Sequence, residues 1–280
     1  MEIKILPNII AEGIGENSLA ERIAPQLRSA DMWLDIEVLT PDIRQALMSE
    51  GDENLKKMID NIIQYKALYE AAPLLDVTIH PNGLAVVNTD SLAPASKERC
   101  DKFRSQLMRS LILEIDLLLK RIYSSSPLIW QEFTVENSLW ARTMFHSPVD
   151  IAIVAQTPLV WDEMSSAVIE IVLAEEYLAQ TVFSMDLLPE LRRCPVADPE
   201  MSLAIEDARA VVSSYLKYSM AEDHSHKKIF YKLHRSAINK FITRMLKSPE
   251  KFQIWHQSSV GRLYASTPFQ NEKSDSAYFF

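Results

Sequence analysis

The chain has 280 residues, of which 48% are hydrophobic and 24% charged, and its formal net charge at pH 7 is −9. This indicates a folded protein of one or two domains, and the excess of acid argues against a general affinity for nucleic acid. Five glycines leave almost no place for a glycine-rich nucleotide loop, so no cofactor is expected. Neither the two cysteines nor any uncharged run indicates a disulfide, a metal site or a membrane helix, so we expect a cytoplasmic protein.

Helical patterns dominate the first half of the chain. One helix is expected to begin after the capping pair at 17–18, a short one at Pro41, and an amphipathic one after Asp52. Alternating apolar residues on both sides of a proline- and glycine-containing turn predict a β-hairpin at 75–89. A long helix should follow from about 96 to 121, where its apolar stripe ends.

The second half is also predicted to be helical. Residues 134–157 give no clear assignment, and the apolar run at 151–154 fits either a strand or a buried turn. Prolines at 158 and 199 are expected to begin two amphipathic helices, because proline is well tolerated in the first helical turn. A last long helix is predicted from about 225 to 247.

Three segments of the first half recur in the same order in the second half. They are Ala30–Leu34 with Ala174–Leu178, Pro41–Arg44 with Pro189–Arg192, and Asp60–Tyr69 with Asp207–Leu216. The predicted fold class is therefore predominantly all-α, with two duplicated helical bundle units of which the first contains the inserted hairpin. The predicted boundaries are 1–133 and 134–262 for the units, and 263–280 for a flexible C-terminal tail.

The hairpin is the first candidate interaction site. An isolated two-stranded hairpin is marginally stable in water, so it is expected to lean on a helix or to pair with a neighbouring chain. The residues predicted to make this contact are Ile79, Pro81, Asn82, Gly83 and Leu84.

The last long helix is the second candidate site. Eight lysines and arginines lie between 227 and 251, where Glu250 is the only acid. A face of one sign is able to meet DNA phosphates or an acidic patch on a neighbouring copy, although a solvated face remains the plain alternative. The residues assigned to this face are Lys228, Lys232, Arg235, Lys240, Arg244 and Lys247.

Two further features are candidates for function. Three aromatic residues, Tyr278, Phe279 and Phe280, end an otherwise polar tail, and such a segment is expected to dock on a partner. His224 and His226 lie among acids, but two histidines at this spacing do not face each other on a helix, so no metal site is predicted. No serine, histidine and aspartate spacing indicates a catalytic triad, and an enzyme is not expected.

The hairpin and the start of the next helix, Val77–Val87 and Ala93–Arg99, resemble an uncharacterised domain family of tailed phages and prophages. That family is similar to helical head–tail connector or head-completion adaptors, which assemble as rings under the portal. The resemblance implies a non-enzymatic structural protein whose partners are its own copies and neighbouring virion proteins, located in the cytoplasm or, after assembly, in the virion. The alternatives are a cytoplasmic helical protein-binding module unrelated to virions and, less favoured, a metal-dependent enzyme at His224 and His226.

Overall fold

The computed structural model describes residues 16–74, 77–80, 83–86, 96–125, 129, 139–193 and 198–265. The chain divides into two compact units, the first formed by residues 1–172 with 193–196 and the second by residues 173–192 with 197–280. The division falls inside one continuous helix, Trp161–Leu178, whereas the predicted boundary is 133/134. None of the described helices is both long and apolar enough to cross a membrane.

The first unit is built from helices that enclose an aliphatic core. Its elements are α1 (Glu16–Trp33), a π-helix (Leu34–Val38), α2 (Pro41–Ser49), α3 (Glu53–Ala71), a 3-10 turn (Ala72–Leu74), β1 (Val77–His80), β2 (Gly83–Val86), α4 (Lys97–Ser125), a 3-10 turn (Leu139–Arg142), α5 (Pro148–Ala155) and the first part of α6 (Trp161–Leu178). Helix α3 packs against both α1 and α4. Its isoleucines at 59, 62 and 63 are buried because their spacing places them on one face.

The second unit contains the end of α6 and a pair of long helices. After α6 come a π-helix (Ala179–Phe183), α7 (Leu188–Arg192), α8 (Pro199–Met220), α9 (His224–Lys247), α10 (Gln253–Gln257) and α11 (Ser259–Ala265). Helices α8 and α9 pack against each other along their length. Phe183 and Phe241 meet edge to face at 5.0 Å in the core of this unit.

The predicted helical bundle is confirmed, but the prediction that a β-hairpin belongs to the fold class is wrong, because the structure is all-α and the hairpin is not part of what builds it. Strands β1 and β2 are four residues each and pair antiparallel with each other, and among the described residues no third strand joins them. A two-stranded ribbon of this size does not form a layer against which helices pack. The alternating apolar residues therefore indicated only a local pairing of two strands, which does not determine the fold class.

Two contacts occur in both units. An indole N–H donates to a carbonyl of the π-helix in each: Trp140 Nε1 to the Glu37 oxygen at 3.3 Å, and Trp255 Nε1 to the Val182 oxygen at 2.9 Å. An arginine of the short helix that follows also pairs with an acid of the preceding long helix. Arg44 Nη2 lies 2.6 Å from Asp31 Oδ1, and Arg192 Nε lies 2.7 Å from Glu175 Oε2. Each π-helix thus accepts an indole N–H, and the two helices that flank it are joined by an ion pair.

Gly261 sits where helix α11 begins to turn against α10. Its N–H donates to the Ser258 hydroxyl at 3.0 Å, and a β-carbon there would lie 1.9 Å from the Trp255 carbonyl oxygen. We therefore expect Gly261→Ala to lower the free energy of unfolding by about 3 kcal/mol, because backbone has to shift to admit the methyl group. Urea denaturation followed by circular dichroism measures this.

Gly51→Ala is the matched control for this substitution. Gly51 has φ +74°, but nothing lies within 4 Å of the position that a β-carbon would take there. Only the left-handed backbone opposes alanine at this residue, so the expected loss is about 1 kcal/mol. A Gly261→Ala protein as stable as the wild type would contradict the close approach of α11 to Trp255.

Candidate protein-binding surface

Helices α8 and α9 form an antiparallel helical hairpin whose pairing is set by three sets of side-chain contacts. Near the base, Lys240 Nζ lies 2.7 Å from Asp207 Oδ1. In the middle, the Ser214 hydroxyl and His234 Nδ1 are 3.2 Å apart. Near the tip, the rings of Tyr218 and Tyr231 are 5.7 Å apart. The hairpin is therefore held at its base by charge and at its tip by aromatic contact.

Asp207 anchors the base of this hairpin. Its side chain is buried, and it accepts from Arg244 Nε as well as pairing with Lys240. A buried carboxylate needs such partners, because desolvating an unpaired charge costs several kcal/mol, of order 3–5. Two of the cations predicted to contact a partner thus hold the fold together, and Lys251 Nζ similarly lies 3.7 Å from Asp198 Oδ2.

Asp223 begins helix α9 as its N-cap. Its carboxylate accepts the His226 N–H at 2.9 Å and the Ser225 hydroxyl, and these two hydrogen bonds hold its pKa below the ordinary aspartate value. His226 Nδ1 is 3.4 Å from the same carboxylate. Within the described ranges, no three His, Cys, Asp or Glu side chains are grouped so as to hold a metal ion. Asp223 therefore acts as the cap that starts the helix.

The tip of the hairpin is open, aromatic and basic. A shallow cavity of about 400 Å³ lies between Tyr218, His224, Lys227, Lys228 and Tyr231. Lys227 Nζ sits 5.6 Å from the centre of the Tyr218 ring, a cation–π geometry. This end of the hairpin offers positive charge and ring edges to an acidic partner.

The outer side of α9 carries apolar as well as basic side chains. Ile229 and Leu233 are each 54% exposed and one helical turn apart, and the exposed cations Lys228, Lys232 and Arg235 lie on the same stretch of the helix. These five residues are called the α9 face. Exposure of aliphatic side chains to water is unfavourable. A surface that combines them with cations is therefore typical of a site that a partner covers.

The similarity of the chain to known proteins covers its first unit only in part. A family model described as a family of unknown function (DUF6712) matches residues 33–112. The match runs from the end of α1 through the first half of α4. No curated protein and no solved structure matches the chain.

The predicted site residues are distributed over described and undescribed parts of the chain. Pro81, Asn82, Tyr278, Phe279 and Phe280 lie outside the described residues. Ile79, Gly83 and Leu84 are described as strand backbone only. The structure places the six predicted cations on α9, where Lys228, Lys232, Arg235 and Lys247 are exposed at its surface. Their contact with a partner stays a prediction.

Sequence reasoning missed the apolar part of the α9 face. Phe241, Ile242 and Met245 are buried, whereas Ile229 and Leu233, which the sequence analysis did not single out, are exposed. The available signal was their four-residue spacing on the basic side of the helical wheel, out of phase with the buried stripe. The surface is therefore amphipathic rather than uniformly basic.

His234 gives the hairpin a pH-dependent stability. Burial lowers its pKa below the ordinary histidine value of about 6.5, although a backbone hydrogen bond at Val211 opposes this in part. The unfolded chain therefore binds a proton at higher pH than the folded chain, and stability is lost as pH falls through 6.5 toward the lowered pKa. We therefore expect a lower urea concentration at the unfolding midpoint at about pH 5.5 than at about pH 7.5.

The variant His234→Gln is expected to lose part of this pH dependence, because glutamine does not titrate. His226→Gln, on the exposed start of the same helix, is the control and should retain it. Urea midpoints that change equally with pH in the wild type and in His234→Gln would contradict the assignment to His234.

Proposed function

We propose that this protein is a non-enzymatic structural adaptor that acts by binding other proteins, of the head–tail connector kind that the resemblance of residues 77–99 implies. Its partners would be its own copies and neighbouring virion proteins. It would be found in the cytoplasm before assembly and in the virion afterwards.

The observation that carries the proposal is the α9 face. Ile229 and Leu233 are each 54% exposed, and the exposed cations Lys228, Lys232 and Arg235 lie on the same stretch of the helix. Protein interfaces are enriched in arginine and bury aliphatic groups at their centre, so this mixture favours a protein partner. A catalytic role has no comparable support, since the buried acids Glu175 and Asp207 of this unit each lie against an arginine and support the fold.

The phage part of the proposal rests on the resemblance alone. The family match at 33–112 overlaps the residues that carry the resemblance, but a family of unknown function adds no activity or partner. The helical architecture is compatible with an adaptor, because rigid helical units present fixed faces to neighbours.

Deletion of the gene from its native genome, followed by electron microscopy of the particles produced, tests the proposed role. An adaptor of this kind should leave filled heads without tails, and supplying the wild-type protein in trans should restore tailed particles. Normal tailed particles from the deletion strain would contradict the proposal.

DNA remains a second candidate partner for the exposed cations Lys228, Lys232 and Arg235. If these residues bind phosphates, affinity for duplex DNA should fall steeply with salt and drop in Lys228→Gln/Lys232→Gln. Binding that is undetectable at low salt would exclude this candidate.

A further inference from the structure

Helix α6 carries an exposed apolar stripe. Ile169, Leu173 and Tyr177 recur every four residues and are 61%, 60% and 51% exposed. Residues at this spacing lie on one side of a helix, so the three side chains form a continuous strip along α6. The ring of Tyr177 stacks on the ring of Tyr215 of α8 at 5.3 Å.

The charges of α6 are all negative. The helix contains no lysine or arginine, and Asp162, Glu163 and Glu170 are exposed on the side that carries the stripe. Together, Asp162, Glu163, Ile169, Glu170, Leu173 and Tyr177 are called the α6 face. It is thus an acidic counterpart to the α9 face.

The two faces are complementary in both charge and spacing. Helix α9 contains no acid, as α6 contains no base. The pair Ile229 and Leu233 has the same four-residue spacing as Ile169 and Leu173, so one strip is able to lie along the other. Acids of α6 then meet cations of α9, which contributes both attraction and the choice of register.

We infer that the α9 face of one copy binds the α6 face of a second copy. This rests on the proposed function, since it specifies one of the protein contacts through which the adaptor acts. Pairing of two α9 faces or two α6 faces would place like charges together, which disfavours a symmetric dimer. Because the two contacting surfaces differ, each added copy leaves one face of each kind free, and the assembly grows head to tail into a ring or a filament.

The apolar content of the α9 face favours this occupant over DNA. DNA phosphates would contact the cations but would bury little of the aliphatic surface of Ile229 and Leu233. Covering that surface with other aliphatic side chains contributes roughly 25 cal/mol per Å² buried. An acidic aliphatic strip satisfies both components of the α9 face at once.

Two full-length double variants test the pairing. Ile229→Asp/Leu233→Asp removes the α9 face and retains the α6 face, whereas Ile169→Asp/Leu173→Asp does the reverse. All four side chains are exposed, so neither variant should disturb the core, which circular dichroism checks. Ile153→Asp, at a residue that is equally exposed on α5, is the matched control and should assemble like the wild type.

Light scattering after size-exclusion chromatography reports the masses. The wild type should form species larger than the 32.0 kDa chain, and each double variant alone should remain at 32.0 kDa. An equimolar mixture of the two variants should form a species of twice that mass and nothing larger, because only one intact α9 face and one intact α6 face remain to meet.

Several results would overturn the inference. The first is a wild-type chain that stays at 32.0 kDa, whether or not it binds DNA. The second is a double variant that still assembles alone, and the third is a mixture of the two variants that forms no dimer. A wild type that assembles while the mixture fails to dimerise rejects this pairing and leaves the adaptor proposal standing. Tailed particles from the deletion strain reject the adaptor role without altering the masses of the purified variants.

Discussion

The double substitution Lys240→Met/Arg244→Met is expected to lower the free energy of unfolding by about 3–5 kcal/mol. Both cations pair with Asp207, whose side chain is buried on the α8 side of the hairpin. Methionine retains much of the aliphatic length of each side chain but no charge, so the buried Asp207 carboxyl group is left without either cation. Urea denaturation at neutral pH measures the loss.

Two comparisons separate the pairing from a general effect of removing charge. Lys228→Met/Lys232→Met, which changes two exposed cations of the same helix, should alter stability by no more than about 0.5 kcal/mol. Adding Asp207→Leu to the destabilised variant should recover much of the loss, because a buried ionic cluster is replaceable by apolar groups. Equal stability of the two double variants would contradict the anchoring role of Asp207.

Trp255→Ala is expected to cost about 3–5 kcal/mol, because it removes the largest kind of buried side chain and leaves a cavity. Trp255 is fully buried, stacks on Tyr264 at 6.2 Å and donates its indole N–H to the Val182 carbonyl of the π-helix. Trp255→Phe retains a ring but no donor, so it should cost about 1–3 kcal/mol through the unpaired carbonyl. Thermal and urea unfolding measure both variants.

Ile254→Ala is the control for these substitutions, since the neighbouring side chain is 46% exposed. It should change the unfolding free energy by no more than about 0.5 kcal/mol. If Trp255→Phe unfolds at the same urea concentration as the wild type, the indole hydrogen bond does not stabilise the π-helix.

The sequence was sufficient for most helices because their ends carry recognisable caps. Thr40 with Pro41 begins α2, Asp52 begins α3, and Pro199 begins α8, each at or next to the predicted position. The long helices α4 and α9 also end within a few residues of the expected positions. In these elements the local signal and the tertiary packing agree.

The run at 151–154 shows where a local pattern was misread. It belongs to α5, which begins at Pro148 after Ser147, whose hydroxyl accepts the Asp150 N–H at 3.4 Å. The serine, proline and acid form a helix start, but the apolar run that follows suggested a strand or a buried turn. Ile151 and Val154 are buried while Ile153 is exposed, which is a helical rather than an alternating pattern.

The tryptophan correspondence shows what depends on tertiary structure. Trp140 and Trp255 make equivalent indole contacts with π-helix carbonyls, although neither residue lies in one of the three segments that recur in the sequence. The π-helices themselves carry no local signature in the sequence, since their wider turn depends on such long-range contacts. The pairing of Asp207 with cations more than 30 positions later was hidden for the same reason.

The charges of the candidate surfaces could be predicted from the sequence, but the exposure of their side chains could not. Eight basic residues are visible in the sequence, but which of them form ion pairs within the chain depends on Asp207 and Asp198, whose positions the fold decides. The stripe on α6 was read as part of an amphipathic helix, and the sequence alone does not tell which apolar residues stay uncovered. Exposure in the folded chain is therefore what identifies the two faces.

Sedimentation velocity of the unmodified full-length chain tests whether the protein assembles with its own copies. It is measured over a range of protein concentrations and at low and high salt. We expect species heavier than 32.0 kDa. Their fraction should increase with protein concentration and decrease with salt, because salt screens the charges of the acidic and basic faces. A single 32.0 kDa species at every concentration and salt would contradict an adaptor that assembles through its own copies.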